Sequence, residues 1–205
     1  IPLVNRMRDR GVQILGEIEL GFLAEQGRVI AITGTNGKTT TTTLTGEIMK
    51  AHFGKDKTFV VGNIGNPYTL EADKTSKDSV TVGEISSFQL ETIHTFHPVV
   101  SAILNITPDH LNRHHTMEAY VAAKEAVASQ QTKADICVLN YDNDYTRDFA
   151  GRCPATPVLF SSHQELKNGY FLRGDKIIKS VNSEEHELMD IHKDMNLVGL
   201  CNVEN

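Results

Sequence analysis

The fold of this chain is set by one segment, VIAITGTNGKTT at residues 29–40. A run of mostly β-branched residues ends in a glycine-rich turn, and a lysine and a block of threonines then enter a helical pattern. This order predicts a strand, a phosphate-binding loop and the N-terminus of a helix. Glycines allow such a loop to point its N–H groups inward at an anion, and the helix dipole adds positive partial charge at the same place.

Lys38 and Thr39 follow the loop, and both suit a nucleotide site. A lysine at this position reaches the terminal phosphates, and a threonine hydroxyl ligates Mg²⁺. The strict pattern G-x-x-x-x-G-K-[ST] is not met, because it requires glycine where Ile32 stands. An ordinary glycine turn with a surface lysine is the alternative, but the flanking strand and helix favour phosphate binding. The predicted loop residues are Gly34, Thr35, Asn36, Gly37, Lys38, Thr39 and Thr40.

Composition restricts the class of protein. At 205 residues, of which 40% are hydrophobic, the chain is long enough for one good core. A net charge of −6 argues against binding to nucleic acid or to a membrane surface, and no apolar run approaches the ~20 residues of a membrane span. The three cysteines are widely spaced, which favours a reducing cytoplasm over a disulfide framework or a zinc site. Because the chain starts with Ile1 rather than methionine, we expect an excised domain.

Strands and helices alternate along most of the chain, which predicts an α/β fold with a mostly parallel sheet flanked by helices. We expect this to be the P-loop type of mononucleotide-binding sheet. Predicted strands span residues 29–33, 58–61, 79–85, 99–105, 136–140 and 158–161, and the main helices span 39–53, 116–131 and 142–150. From about residue 170 to residue 191 the pattern changes to a hairpin and a third strand, which predicts a small antiparallel sheet.

Periodicity gives two further expectations. In the helix after the loop, Leu44, Ile48 and Ala51 fall on one face, which we expect to pack on the sheet. The segment before the first strand is expected to contain short helices at 1–10 and 17–25 and an edge strand at 12–15. We therefore interpret residues 1–20 as a linker or the tail of a preceding domain, and residues 21–205 as the central domain.

Four unusual segments follow predicted strands: the phosphate loop and residues 62–67, 84–87 and 105–115. Ligands bind beyond the carboxyl ends of strands in an open parallel sheet, so these segments are expected to meet around one site. Glu84 follows an apolar strand, where a carboxylate is costly unless it is paired or bound to a metal. We favour Mg²⁺ ligation over a helix-capping role, because a phosphate loop needs a metal nearby.

Two further groups leave alternatives open. His110, His114 and His115 lie in the last of these segments, where either one of them acts at the site or all are structural. His114 and His115 are equally well explained as solvated side chains. Lys124 falls on the apolar face of its helix. From periodicity alone we favour a lysine that snorkels to solvent over an inward amine with a depressed pKa.

Taken together, these motifs resemble the Mur ligases. The matching runs are GTNGKTT at 34–40, GNIG at 62–65, EISSFQLE at 84–91, NITPDHL at 105–111 and AAK at 122–124. The runs GNIG and SSFQLE are most similar to the family members that add D-glutamate. The resemblance covers residues 17–205 in order. Members of the family have three domains, and this chain matches the central ATPase domain with a tail of the N-terminal uridine-nucleotide domain.

The resemblance implies an ATP-dependent ligase that forms an amide bond in peptidoglycan precursor synthesis. ATP would phosphorylate the alanyl carboxylate of UDP-N-acetylmuramoyl-L-alanine, and the amine of D-glutamate would attack the acyl phosphate. These small molecules are the expected partners, together with the flanking domains of the same protein. The resemblance implies that the C-terminal amino-acid-binding domain lies outside this chain, so we expect the chain to be inactive alone.

The resemblance also implies roles for individual residues. Lys38 would neutralise charge on the transferring phosphoryl group. Thr39 and Glu84 would hold one Mg²⁺, and His110 would help to hold a second. Lys124 resembles the carbamylated lysine of the family, whose carbamate would bind the second metal, and this reverses the preference for a snorkelling side chain.

Further contacts follow from the same resemblance. Asn63 and Ser86, with His110, would contact the substrate, and Asn202 and Asn205 would lie near adenine. Cys201 departs from the family, because it stands where the closing motif usually has histidine, and Asn112 stands where the family often has aspartate. The alternatives are another Mur ligase, a relative of folylpolyglutamate synthase, or a nucleotide-binding module without catalysis. The run at 86–91 argues against the first two.

Overall fold

The computed structural model describes residues 2–196 and 199–205, so Ile1, the expected start of the first helix, lies outside the described residues, as do Leu197 and Val198. The strands are β1 (Arg28–Thr33), β2 (Thr58–Gly62), β3 (Val80–Glu84), β4 (Val100–Ile103), β5 (Ile136–Asn140), β6 (Thr156–Ser161), β7 (Gly169–Arg173), β8 (Lys176–Val181) and β9 (Glu184–Asp190). The helices are α1 (Pro2–Asp9), α2 (Glu17–Ala24), α3 (Lys38–Phe53), α4 (Tyr68–Glu71), α5 (Ser87–Leu90), α6 (Leu111–His114), α7 (Met117–Glu125), α8 (Asp144–Ala150), α9 (Ile191–Asp194) and α10 (Leu200–Glu204).

The predicted α/β fold is confirmed. The strands within the described residues form one sheet in the order β2-β3-β1-β4-β5-β6-β7-β8-β9. Strands β1 to β6 pair in parallel, whereas β8 pairs with β7 and with β9 in antiparallel fashion. The antiparallel strands are not a separate sheet, because β7 also pairs in parallel with β6 at Phe160–Tyr170 and Ser161–Phe171. They extend the main sheet.

Side chains on the two faces of the sheet enter different cores, as the alternation along a strand requires. Ala31 faces the larger core, which α2, α4, α5, α7 and α8 cover. Its neighbour Ile32 faces a smaller core, against which Met49 of α3 packs. Strand β4 lies between β1 and β5 and is buried over Ser101, Ala102 and Ile103. The strand predicted at 99–105 is present, although it spans only Val100–Ile103.

The predicted packing face of α3 is wrong. Leu44 is 45% exposed and Ile48 is 54% exposed, and Ala51 is exposed as well. The helix instead meets the sheet through Thr42 and Gly46, which are both buried. A Cβ at Gly46 would lie 2.5 Å from Cγ2 of Val60, so a small residue is needed for this close approach. Apolar periodicity could not reveal a contact made by threonine and glycine.

The segment before β1 contains the two expected helices, but residues 12–16 form no strand. They lie against a turn instead of a strand edge. The Gly16 N–H donates to the Thr92 carbonyl at 3.3 Å, and His94 Nε2 lies 3.0 Å from the Ile14 carbonyl oxygen. None of the helices in the described part of the chain combines the length and hydropathy that crossing a bilayer would require.

Candidate active site

The four segments that follow predicted strands do meet at the carboxyl edge of the sheet. Ile32 is in register with Glu84, and Gly62 is in register with the same residue from the other side. On the opposite flank of β1, Thr33 is in register with Ile103. The loops after β1, β2, β3 and β4 therefore start side by side, at the place where open parallel sheets bind ligands.

The phosphate loop has the backbone that its sequence predicts. Gly37 has φ +82° and precedes the first turn of α3, a conformation that favours glycine. Asn105, which follows β4, holds the loop from one side. Its Oδ1 accepts the N–H groups of Thr35 at 3.1 Å and Asn36 at 2.8 Å, and its Nδ2 donates to the Asn36 carbonyl at 3.1 Å. Sequence reasoning assigned no role to Asn105, and the only signal for it was an amide directly after a predicted strand.

Lys38 is half-buried, and its ammonium turns back over the loop. Its Nζ donates to the carbonyl of Thr35 at 3.0 Å. The positive charge is thus kept beside the N–H groups at the start of α3, where it adds to the positive end of the helix dipole. A positively charged side chain beside the N–H groups of the first helical turn, which have no partner within the helix, is the usual environment of a nucleotide phosphate.

Thr39 and Glu84 lie in contact across the loop. The Thr39 hydroxyl donates to Glu84 Oε2 at 2.8 Å, and Asn63 Nδ2 donates to Glu84 Oε1 at 2.9 Å. Glu84 is 1% exposed, so its carboxylate is paired with two neutral donors in the interior. A hydroxyl and a carboxylate oxygen this close together are hard oxygen ligands, which Mg²⁺ prefers. The residues present therefore fit one magnesium ion. Among the described residues no group of three His, Cys, Asp or Glu side chains forms a ready-made metal cluster.

Ser86 caps the helix that follows. Its Oγ accepts the Gln89 N–H at 3.4 Å, and Gln89 Oε1 accepts the Ser86 N–H at 2.9 Å, which completes a capping box. Two of the three predicted substrate contacts, Ser86 and Asn63, thus have partners within the protein. Such bonds hold their polar atoms at the edge of the site.

The three histidines of the next loop have different environments. His110 is exposed and lies at φ +52°, with its ring 5.0 Å from that of Phe88. His115 is exposed, in agreement with the interpretation of it as a solvated side chain. His114 is 7% exposed, so the interpretation of a solvated side chain is wrong for it. Burial lowers the pKa of His114, which favours a neutral imidazole.

Lys124 points inward, which contradicts the preference from periodicity and agrees with the orientation implied by the resemblance. Its side chain is 2% exposed, and its Nζ donates to the Gly34 carbonyl at 2.7 Å. The ammonium also lies 4.7 Å from the centre of the Tyr120 ring. Burial, with a smaller contribution from the charge of Lys38, lowers the pKa of Lys124 to about 7.

Tyr120 connects α7 with the phosphate loop, a contact that sequence reasoning missed because Tyr120 reads as an ordinary core residue. Its hydroxyl lies 3.1 Å from Thr35 Oγ1. Thr35 Oγ1 in turn accepts the Thr107 N–H at 3.1 Å. The loop is therefore held by Asn105 and Thr107, which follow β4, and by Tyr120 of α7.

The C-terminal residues reach the other side of the loop. The Asn205 side chain packs against Gly37, because a Cβ on Gly37 would lie only 2.1 Å from Asn205 Oδ1. The Thr41 hydroxyl donates to the Asn205 carbonyl at 3.4 Å. A cavity of about 700 Å³ opens beside them, with Thr41, Leu44, Phe160 and Asn202 in its lining. Cys201 is exposed. The structure thus brings Asn202 and Asn205 to a cavity next to the loop, where the resemblance places adenine.

Comparison with known proteins agrees with the resemblance of the sequence motifs to the Mur ligases. The family model described as "Mur ligase middle domain" matches residues 32–205. Curated relatives named "UDP-N-acetylmuramoylalanine--D-glutamate ligase" from Lachnospira eligens and Lachnoclostridium phytofermentans are 55% and 54% identical over 100% of this chain. The alignments cover 45% and 44% of those relatives, so the chain spans under half of their length.

Solved structures show the same fold. MurF from Acinetobacter baumannii has a TM-score of 0.64 at 17% identity, over 92% of this chain and 42% of that one. MurF from Thermotoga maritima, solved in complex with ADP, has a TM-score of 0.56 at 16% identity, over 83% of this chain and 42% of that one. At this level of identity the likeness concerns the fold alone.

Proposed function

The chain belongs to the Mur ligase middle-domain family, and we propose that it is the central, ATP-binding part of a ligase that joins D-glutamate to UDP-N-acetylmuramoyl-L-alanine. The observation that carries the proposal is the phosphate loop with Lys38 above it and the Thr39–Glu84 pair beside it. The relatives at 54–55% identity support the choice of amino acid.

In the proposed reaction the terminal phosphoryl group of ATP passes to the alanyl carboxylate, which leaves ADP and an acyl phosphate. The amine of D-glutamate then attacks the acyl carbon, the amide bond forms, and phosphate leaves. The loop N–H groups and Lys38 would stabilise the charge on the transferring group, where fixed donors are most effective. Hydrogen bonds from Asn105 and Tyr120 hold the loop from outside it.

Thr39 and Glu84 would hold one Mg²⁺, which when bound neutralises phosphate charge. A second ion would be held by His110 and by a carbamate on Lys124. The Lys124 amine suits that modification, because it is buried and because its pKa of about 7 leaves a large fraction of it uncharged at physiological pH. Asn63 and Ser86 are proposed substrate contacts, and Asn202 and Asn205 are proposed adenine contacts at the cavity beside the loop.

We further propose that flanking domains bind uridine and D-glutamate. Residues 21–205 would be the central domain and residues 1–20 the end of the preceding one, although the burial of Ile18 and Glu19 in α2 favours a boundary before Glu17. A cytoplasmic location is part of the proposal, since Cys137, Cys153 and Cys201 form no disulfide.

The test is phosphate release by the full-length ligase with Mg²⁺, ATP and UDP-N-acetylmuramoyl-L-alanine. D-glutamate should stimulate release, whereas L-alanine, L-glutamate, L-lysine and diaminopimelate should not. Stimulation by one of these others, or by glutamate with a folate as acceptor, would assign the chain to a different member of the superfamily.

A further inference from the structure

The one-turn helix α6 has an unfavourable backbone conformation on both sides. His110 precedes it at φ +52°, and His115 follows it at φ +67°. Residues with a Cβ adopt this left-handed region at a cost in free energy. The turn that carries His110 therefore needs contacts that hold it in this conformation.

His114 supplies those contacts through both ring nitrogens. Ser87 Oγ lies 3.0 Å from Nε2, and Glu91 Oε1 lies 3.5 Å from Nδ1. The contact with Ser87 is a hydrogen bond, whereas the Glu91 carboxylate is an electrostatic neighbour of the ring. The ring thereby bridges the start and the end of α5, at whose N-terminus Ser86 is the capping residue.

The faces of the same ring pack on aromatic neighbours. The ring of Phe88 stacks on His114 with centres 5.3 Å apart and planes at 11°, and the ring of Tyr120 lies 5.1 Å away at 48°. The backbone N–H of His114 donates to the His110 carbonyl at 3.0 Å. One buried side chain thus joins α6 to α5 and α7.

We propose that His114 is a positioning residue, which fixes α6 against α5 and α7 and so holds His110 and Ser86 in place for the reaction. What His110 and Ser86 do there rests on the proposed function. The anchoring itself depends only on the contacts of His114, and it can be measured without turnover.

Hydrogen exchange of the 205-residue chain measures the anchoring directly. His114→Leu removes both polar contacts of the ring, Ser87→Ala removes only the hydroxyl that bonds to Nε2, and His114→Gln keeps a polar partner for Ser87. His115→Asn is the matched control, because it changes an exposed histidine of the same segment to a residue that tolerates φ > 0.

We expect the amides of residues 111–115 to exchange about tenfold faster or more in His114→Leu, with a smaller effect in Ser87→Ala, because the turn opens locally. Exchange in the control should stay near the wild-type rate, and α3 should be unaffected. His114→Gln should exchange more slowly than His114→Leu but faster than the wild type, because glutamine keeps a partner for Ser87 and lacks the ring. Unchanged exchange at 111–115 in both His114→Leu and Ser87→Ala would overturn the proposal.

Kinetics of the full-length ligase separate positioning from general destabilisation. In His114→Leu, kcat should fall on the order of 10- to 100-fold through misplacement of reacting groups, while the KM for ATP stays within roughly twofold because the phosphate loop is untouched. His114→Gln should restore part of kcat, because it keeps a partner for Ser87 but not the ring contacts. If the wild-type ligase is active and the His114→Leu variant keeps full kcat, the positioning role is refuted, while the anchoring of α6 is still decided by hydrogen exchange. A wild type with no D-glutamate-dependent turnover contradicts the proposed function, and the exchange result then still decides the anchoring.

Discussion

Lys124 brings an amine into the interior beside the phosphate loop, where water no longer stabilises its charge. The pKa of about 7 is well below the ordinary value of 10.5. The unfolded chain therefore binds more protons than the folded chain between these two pKa values. Folding is penalised most at the acidic end of that window, and the penalty is released as the pH rises.

The free energy of unfolding should accordingly rise with pH, relative to a Lys124→Met variant that lacks the amine. At 1.36 kcal/mol per pKa unit, the difference between wild type and variant should change by about 2 kcal/mol in favour of the wild type between about pH 7 and about pH 9. Urea unfolding at the two pH values measures it. Parallel pH profiles for the two proteins would mean that the folded pKa is not depressed.

Single residues were the hardest part of the site to predict. Helical periodicity placed Lys124 on an apolar face but could not show that its amine bonds to the Gly34 carbonyl and lies over the Tyr120 ring. His114 looked like one of several polar loop residues, and only the fold reveals its buried partners. The Thr39–Glu84 contact was more accessible to prediction, since both residues follow strands that belong at the same edge of the sheet.

Among the elements, the unit formed by β1, the phosphate loop and α3 follows closely from its sequence. The β-branched run, the glycines and the following lysine each fit one local structure, so all three parts were predictable. The orientation of α3 was not, because Gly46 and Thr42 make the contact with the sheet while Leu44 and Ile48 remain exposed.

Substitutions on the two sides of α3 test this orientation. Gly46→Leu should lower the free energy of unfolding by about 2 kcal/mol or more, because any Cβ there meets Val60. Ile48→Ala, on the exposed side, should change it by less than about 0.5 kcal/mol. Denaturant unfolding of the two variants gives the comparison, and a larger loss for Ile48→Ala than for Gly46→Leu would refute the packing described here.

On the scale of the whole molecule, one sheet carries both the site and the antiparallel extension. The parallel order was predictable from alternating elements, whereas the merging of β7 with β6 was not, since a pairing of two residues leaves no pattern in the sequence. The chain spans under half the length of its curated relatives. The proposed sites for uridine and D-glutamate then lie on parts of the protein beyond this chain.

It follows that the chain alone should not form the amide bond. The attacking amine must be held about 3 Å from the acyl carbon, and remote binding energy must orient the carboxylate. Incubation of the purified chain with Mg²⁺, ATP, UDP-N-acetylmuramoyl-L-alanine and D-glutamate should give no detectable product by chromatography. Turnover near the ~10 s⁻¹ typical of intact enzymes would show that this chain contains the complete site.

The central claim is that the loop at residues 34–40 binds nucleotide phosphates, and calorimetric titration of the chain with Mg²⁺–ATP tests it most directly. We expect weak, saturable binding at one site. Lys38→Ala should weaken it by about tenfold or more through the loss of a charged phosphate contact, yet remain folded by circular dichroism, because Lys38 makes one hydrogen bond to Thr35. Absence of binding to the wild type, or equal affinity in a folded Lys38→Ala variant, would contradict the account.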